Sequence, residues 1–138
     1  MKNIKVDIRQ WLLVFLLLTP VLALAAAPVE DISARTAKDL IQENLSNPDF
    51  IVLDIRTPRE FDGGHIAGAR NIDFYAQTFA QEFRSLDLEK TYLIYCRSGN
   101  RSRQLMGGVE KMPFKKVFHM RSGLVDWVGQ GFKLIPSD

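Results

Sequence analysis

Two short apolar runs, Phe50-Ile51-Val52-Leu53 and Tyr92-Leu93-Ile94-Tyr95, restrict the possible folds of this chain more than any other feature. Neither alternates polar with apolar residues, so each reads as a strand covered on both faces. Strands of that kind belong to parallel sheets, whose crossover connections place helices on either side. Two further apolar stretches, a short one around Arg70 to Ile72 and Lys116 to Met120, alternate with helical patterns in the same way. The expectation is an α/β domain.

The intervening segments carry helix signals. Ser33 is a suitable N-cap for a helix whose apolar positions Ala37, Leu40, Ile41 and Leu45 share one face, and Asn47-Pro48 ends it. Thr57-Pro58-Arg59-Glu60 has the composition of a capping box with proline at the first helical position, which gives Glu60 a structural role. Gly63-Gly64 breaks that helix. Tyr75, Phe79, Ala80 and Phe83 mark an amphipathic helix, and Leu105, Met106, Val109 and Met112 mark another. Gly107-Gly108 inside the latter costs about 1 kcal/mol per glycine against alanine, and close packing on the sheet is the expected compensation. Leu124 to Val128 reads as a closing helix with Trp127 as its core residue.

The first 25 residues stand apart. Lys2, Lys5 and Arg9 precede the apolar run Trp11 to Leu18, and Ala23-Leu24-Ala25 supplies a small-x-small cleavage pattern. This pattern predicts a secretory signal peptide cleaved before Ala26, and the expected location is the periplasm. The alternative is an anchor over residues 11–27, which is short for a bilayer span and interrupted by Pro20. With cleavage, no stable membrane association is expected. Residues 1–25 hold three basic and one acidic residue, so residues 26–138 hold 15 of each and are neutral overall. Bulk charge therefore gives no basis for nucleic-acid binding. Residues 26–138 suit a single domain, with a core at about 30–135. No metal-ligand spacing is present, and no cofactor is expected.

Cys96 is the only cysteine. It closes the second buried run, and the turn-forming stretch Arg97-Ser98-Gly99-Asn100-Arg101-Ser102 leads from it into a helix. A thiol between a strand end and a helix start, flanked by two arginines, is placed to ionise. Exported to an oxidising compartment, a solitary cysteine has no partner in its own chain. In open parallel sheets ligands bind outside the carboxyl ends of the strands, and Asp54 and Cys96 both fall at such ends. His119 lies near a strand end too, where a structural role is the default.

Ile51-Val52-Leu53-Asp54-Ile55-Arg56, Glu60-Phe61, Gly64-His65-Ile66-Ala67-Gly68-Ala69, Cys96-Arg97-Ser98-Gly99-Asn100-Arg101-Ser102 and Gly123-Leu124-Val125-Asp126-Trp127 together resemble the rhodanese domain. They stand in that family's order and usual spacing and cover roughly residues 30–135. Ser122, where a second glycine often stands, and Ala67, in place of a common proline, are small departures in turns.

The resemblance implies a parallel sheet of about five strands with helices on both faces. It also implies a thiosulfate sulfurtransferase, in which the Cys96 thiolate takes sulfur from a small anionic donor such as thiosulfate and passes it to a thiophilic acceptor. In that chemistry the backbone of Arg97, Ser98, Gly99, Asn100, Arg101 and Ser102 would cradle the sulfur, and Arg97 and Arg101 would receive the anionic donor. Asp54, Arg56 and His65 would brace the loop and its turn. Alternatives are a non-catalytic sulfur carrier or regulatory binding module, and a phosphatase or arsenate reductase of the same fold. The phosphatase pattern places five residues between cysteine and arginine, whereas four separate Cys96 from Arg101. Oligomeric state is not readable from these features.

Overall fold

The computed structural model describes residues 28–137. The predicted signal peptide, its cleavage site and the alternative anchor lie outside these residues. Five strands alternate with helices: β1 (Val29–Ile32), α1 (Ala34–Glu43), β2 (Phe50–Asp54), α2 (Pro58–Asp62), β3 (Arg70–Asn71), α3 (Phe79–Arg84), β4 (Thr91–Tyr95), α4 (Asn100–Val109), β5 (Lys116–Met120) and α5 (Gly123–Gly129). The sheet order is β1-β5-β4-β2-β3, and every pairing is parallel. Chain direction across the sheet reverses between β2 and β4, which creates a topological switch point at their carboxyl ends.

The two non-alternating runs occupy the centre. Leu53, Tyr92, Ile94 and Val117 turn to one face, against Phe83 of α3 and Met106 and Val109 of α4. Val52, Leu93, Tyr95 and Met120 turn to the other, against Ala37 of α1 and Leu124 and Trp127 of α5. Continuous apolar strands thus feed two separate cores, and helices cover both faces as expected.

The caps predicted from sequence form. Ser33 Oγ accepts from the Thr36 amide, and Thr57 and Glu60 complete the capping box, with Pro58 opening α2. Three expectations need correction. The helix after Ser33 ends at Glu43, so Leu45 lies beyond it and is 78% exposed. Tyr75 precedes α3 and is 67% exposed, so it is no core residue. Gly107 and Gly108 lie on the exposed side of α4, and a Cβ at either would meet no atom within 4 Å; close packing on the sheet does not account for them. The residues alone did not locate β1. It is an edge strand in which only Ile32 is buried, and its pairing with β5 spans most of the domain.

Candidate active site

The site assembles at the switch point. Tyr95 ends β4 beside Asp54 at the end of β2, and the Ile55 amide donates to the Tyr95 carbonyl at 3.0 Å. Cys96 follows immediately, 1% exposed, and the chain then curls back over its sulfur into α4. Gly99 makes the curl possible. Its φ is +87°, and a Cβ there would run into the Arg121 carbonyl, so both conformation and space call for glycine. The Gly99 amide donates to Cys96 Sγ at 3.1 Å, and Ser102 Oγ lies 3.5 Å from the same sulfur. Burial pushes the Cys96 thiol up, but hydrogen bonds from the Ser102 side chain and from the Ser102, Gly99 and Ser98 amides outweigh it and leave the thiol below its usual range.

A second element locks this loop from behind. Leu124 and Val125, in the first turn of α5, donate their amides to the Cys96 and Arg97 carbonyls, each at 3.0 Å. Amides that a helix start leaves unpartnered therefore hold the loop's carbonyls outward, while the loop's own amides face the sulfur. Gly123 allows the approach: φ is +57°, and a Cβ would run into the Cys96 carbonyl.

The predicted supporting residues form a brace under the cleft. Arg56 is buried and pairs with Asp54 through Nε at 2.9 Å and Nη2 at 2.7 Å, and Nη2 also donates to the Gly64 carbonyl at 2.8 Å. Asn71 closes the turn by donating to the Asp54 and Arg56 carbonyls. His65 holds the next turn. Its ring stacks on Phe61 with centroids 3.7 Å apart, and Nδ1, 3.0 Å from the Phe61 carbonyl, carries the proton. None of these four side chains hydrogen-bonds to Cys96. They fix the wall beside it.

Arg97, Ser98 and Asn100 are exposed on the outer side of the loop. Arg97 lines an open cleft of about 690 Å3 together with Arg56, Arg59, Glu60, Leu124 and Val125. Arg56 is neutralised by Asp54 and Glu60 by Arg101, so Arg59 and Arg97 make that cleft attractive to anions. Arg101 is placed differently. Its guanidinium forms a two-pronged pair with Glu60, at 2.7 and 2.8 Å, and lies 5.6 Å from the centre of the Tyr75 ring. The bond from Arg101, aided by those from Thr57 and opposed by burial, holds the Glu60 carboxyl down to about 2. Glu60 therefore caps α2 and clamps Arg101 at once. Its second partner is 41 residues away, and no local signal announces it. Ser102 is fully buried, and its contacts continue to His119 Nε2 at 2.8 Å and from His119 Nδ1 to Asp31 at 2.7 Å. Among the described residues, no group of side chains is arranged to hold a metal ion.

Comparison with known proteins gives the arrangement its context. The family profile for the Rhodanese-like domain matches residues 36–130. MoeZ of Mycobacterium tuberculosis, a probable adenylyltransferase/sulfurtransferase, is 30% identical over 108 residues, which are 78% of this chain and 27% of that protein. The chain thus spans little more than a quarter of that relative. The thiosulfate sulfurtransferase GlpE of Pseudomonas putida is 34% identical over 77 residues, 56% of this chain and 68% of that enzyme. Among solved structures, a rhodanese-related protein from Thermoplasma volcanium superposes with a TM-score of 0.63 at 25% identity, covering 78% of this chain and 99% of its own.

Proposed function

Because this chain belongs to the rhodanese-like domain family, we propose that it is a sulfurtransferase that carries sulfane sulfur on Cys96 from thiosulfate or a related anionic donor to a thiophilic acceptor. The observation that carries the reading is the thiol itself, buried under a loop whose Gly99 amide donates to the sulfur at 3.1 Å and whose hydrogen bonds favour the thiolate.

The chemistry divides into two displacements. The Cys96 thiolate attacks the outer sulfur of thiosulfate; a new S–S bond forms, the donor's S–S bond breaks, and sulfite leaves with the bonding pair. The persulfide anion left on Cys96 keeps the negative charge inside the loop, where inward-facing amides stabilise it without reorganising. A nucleophile such as cyanide then attacks the outer sulfur, and thiolate is restored as thiocyanate departs. Arg97 and Arg59 form the basic side of the cleft through which the anion approaches. Arg101 is clamped and charge-balanced by Glu60, a placement that supports a role in fixing the loop more than a mobile substrate arm.

Residues 1–25 are read as a secretory signal, so the transfer takes place outside the cytoplasm, in the periplasm. N-terminal sequencing of the exported protein, with Ala26 as the expected first residue, tests that assignment.

The functional test is mass spectrometry of the protein after thiosulfate exposure and again after cyanide. Gain of one sulfur atom that cyanide removes, lost in Cys96→Ser, is the expected result. Sulfur that loads and stays would mark a carrier, and no loading at all would overturn the reading.

A further inference from the structure

His119 is 1% exposed and has no part in the sulfur displacement described above, and Ser102, which bonds to the sulfur, is fully buried. Between them they connect the reactive sulfur to the far edge of the sheet. Cys96 Sγ lies 3.5 Å from Ser102 Oγ, Ser102 Oγ 2.8 Å from His119 Nε2, and His119 Nδ1 2.7 Å from Asp31 Oδ1. The parallel sheet makes this line possible. Asp31 on β1 stands in register with His119 on β5, which stands in register with Ile94 two residues before Cys96. Ser102, one turn into α4, comes down from above to fill the gap.

The Ser102 hydroxyl can donate to the Gly99 carbonyl at 3.2 Å, to His119 Nε2 or to the Cys96 sulfur, and two arrangements carry a proton along the line. A carboxylate accepts only, so His119 Nδ1 carries a proton toward Asp31. With neutral histidine, Nε2 is an acceptor; the Ser102 hydroxyl then donates to it, and Cys96 donates its S–H to Ser102. With imidazolium, Nε2–H donates to Ser102, whose hydroxyl turns from the Gly99 carbonyl to donate to a Cys96 thiolate. Passing from the first to the second moves one proton from sulfur to the serine oxygen and one from that oxygen to the ring. The sum is one proton lost by Cys96 and one gained by His119, with total charge unchanged.

We propose that Ser102, His119 and Asp31 form a serine-bridged proton relay that receives the Cys96 proton and holds the thiolate opposite an imidazolium. Ser102 touches the reacting sulfur, and His119 and Asp31 act through it as positioning residues. The relay rests on the sulfurtransferase reading for its purpose, because a thiolate is what attacks the donor. The charged groups around His119 are Asp31 from β1, Arg103 of α4 and Glu110 just after it, which line with His119 a cleft separate from the one beside Arg97, and Cys96 at the end of β4 through Ser102.

Thiolate absorbance in the ultraviolet, followed against pH on the purified full-length protein, reads this directly, because the chain has one cysteine. His119→Gln is the decisive variant. A glutamine amide can still hold Ser102 but cannot take up a proton. The expected result is a thiolate midpoint raised by about one pH unit in His119→Gln. Asp31→Asn should move it the same way by about half as much, and less at high salt, because the Asp31 side chain is 53% exposed. A His119→Gln midpoint within about 0.2 pH units of the parent would show that the ring only holds the serine, and would overturn the relay. Should His119→Gln fail to fold, Asp31→Asn decides: a midpoint unchanged at low salt overturns the proposal. Sulfur loading measured on the same samples separates the two readings. Loading with unshifted midpoints defeats the relay alone, whereas shifted midpoints in a protein that never loads sulfur defeat the sulfurtransferase reading alone.

Discussion

Replacing Gly123 with alanine should damage this protein out of proportion to one methyl group. The residue sits at φ +57°, where an L side chain costs about 1 kcal/mol. The new Cβ would run into the Cys96 carbonyl oxygen and stand 2.7 Å from the Arg97 carbonyl carbon. Both are backbone atoms and cannot swing aside. The start of α5 must therefore retreat, which weakens the bonds from Leu124 and Val125 to the Cys96 and Arg97 carbonyls, each 3.0 Å long. At about 1 kcal/mol for each lost bond, the total comes to roughly 3 kcal/mol. Gly107 and Gly108 provide the opposite case on the same fold. Both are helical and exposed with open space around them, so alanine at either should add up to about 1 kcal/mol. Urea unfolding of the three variants against the parent, compared at constant m-value, measures all of this. A Gly123→Ala variant within about 1 kcal/mol of the parent, or a Gly107→Ala variant that loses stability, would refute the packing argument behind both numbers.

Three more outcomes are expected. The folded-state pKa of Glu60 lies below its ordinary value, so its pair with Arg101 contributes above about 4.5 and is lost as pH falls toward about 2. In Glu60→Gln, stability should fall by up to about 1 kcal/mol at pH 7, and the acid-side slope in that window should flatten; an unchanged slope in acid titration by circular dichroism would argue against the pair. Arg97→Ala should raise the KM for thiosulfate roughly tenfold in steady-state kinetics while leaving the urea midpoint in place, since Arg97 is exposed and lines the cleft. Phe114 is 3% exposed and packs edge-on to Tyr92 and Phe83 at 5.4 and 5.9 Å, so Phe114→Ala should cost about 3–5 kcal/mol in the same urea assay.

Features that depend on near neighbours in sequence were legible before the structure. The Thr57–Glu60 capping box, the Ser33 cap, the double-sided burial of β2 and β4 and the placement of Cys96 at a strand end follow from residues within one turn or one strand of each other. Whatever depends on distant partners was not. Val29–Ile32 has a single buried residue, and only pairing with β5 makes it a strand. Glu60 showed its capping role but not its grip on Arg101. Tyr75 matched a helical spacing yet lies outside the helix, over a guanidinium group that the linear pattern does not reveal. His119 looked like an ordinary strand-end histidine because Asp31 and Ser102, its neighbours in space, are 88 and 17 residues away. Gly107 and Gly108 suggested tight packing, and the space beside them proved open.

The last described residues bear on where this domain can carry a mechanical load. Ile135 pairs antiparallel with His65, exchanging bonds of 2.8 and 2.9 Å, and Ser137 ties to Asp62. These anchors grip the turn whose Gly64 carbonyl receives Arg56, so the carboxyl-terminal strap acts as a latch on one rim of the cleft. A tag, a surface tether or a fused partner joined directly after this strap would pull on that rim, whereas the same load applied before β1 would fall on the opposite edge of the sheet.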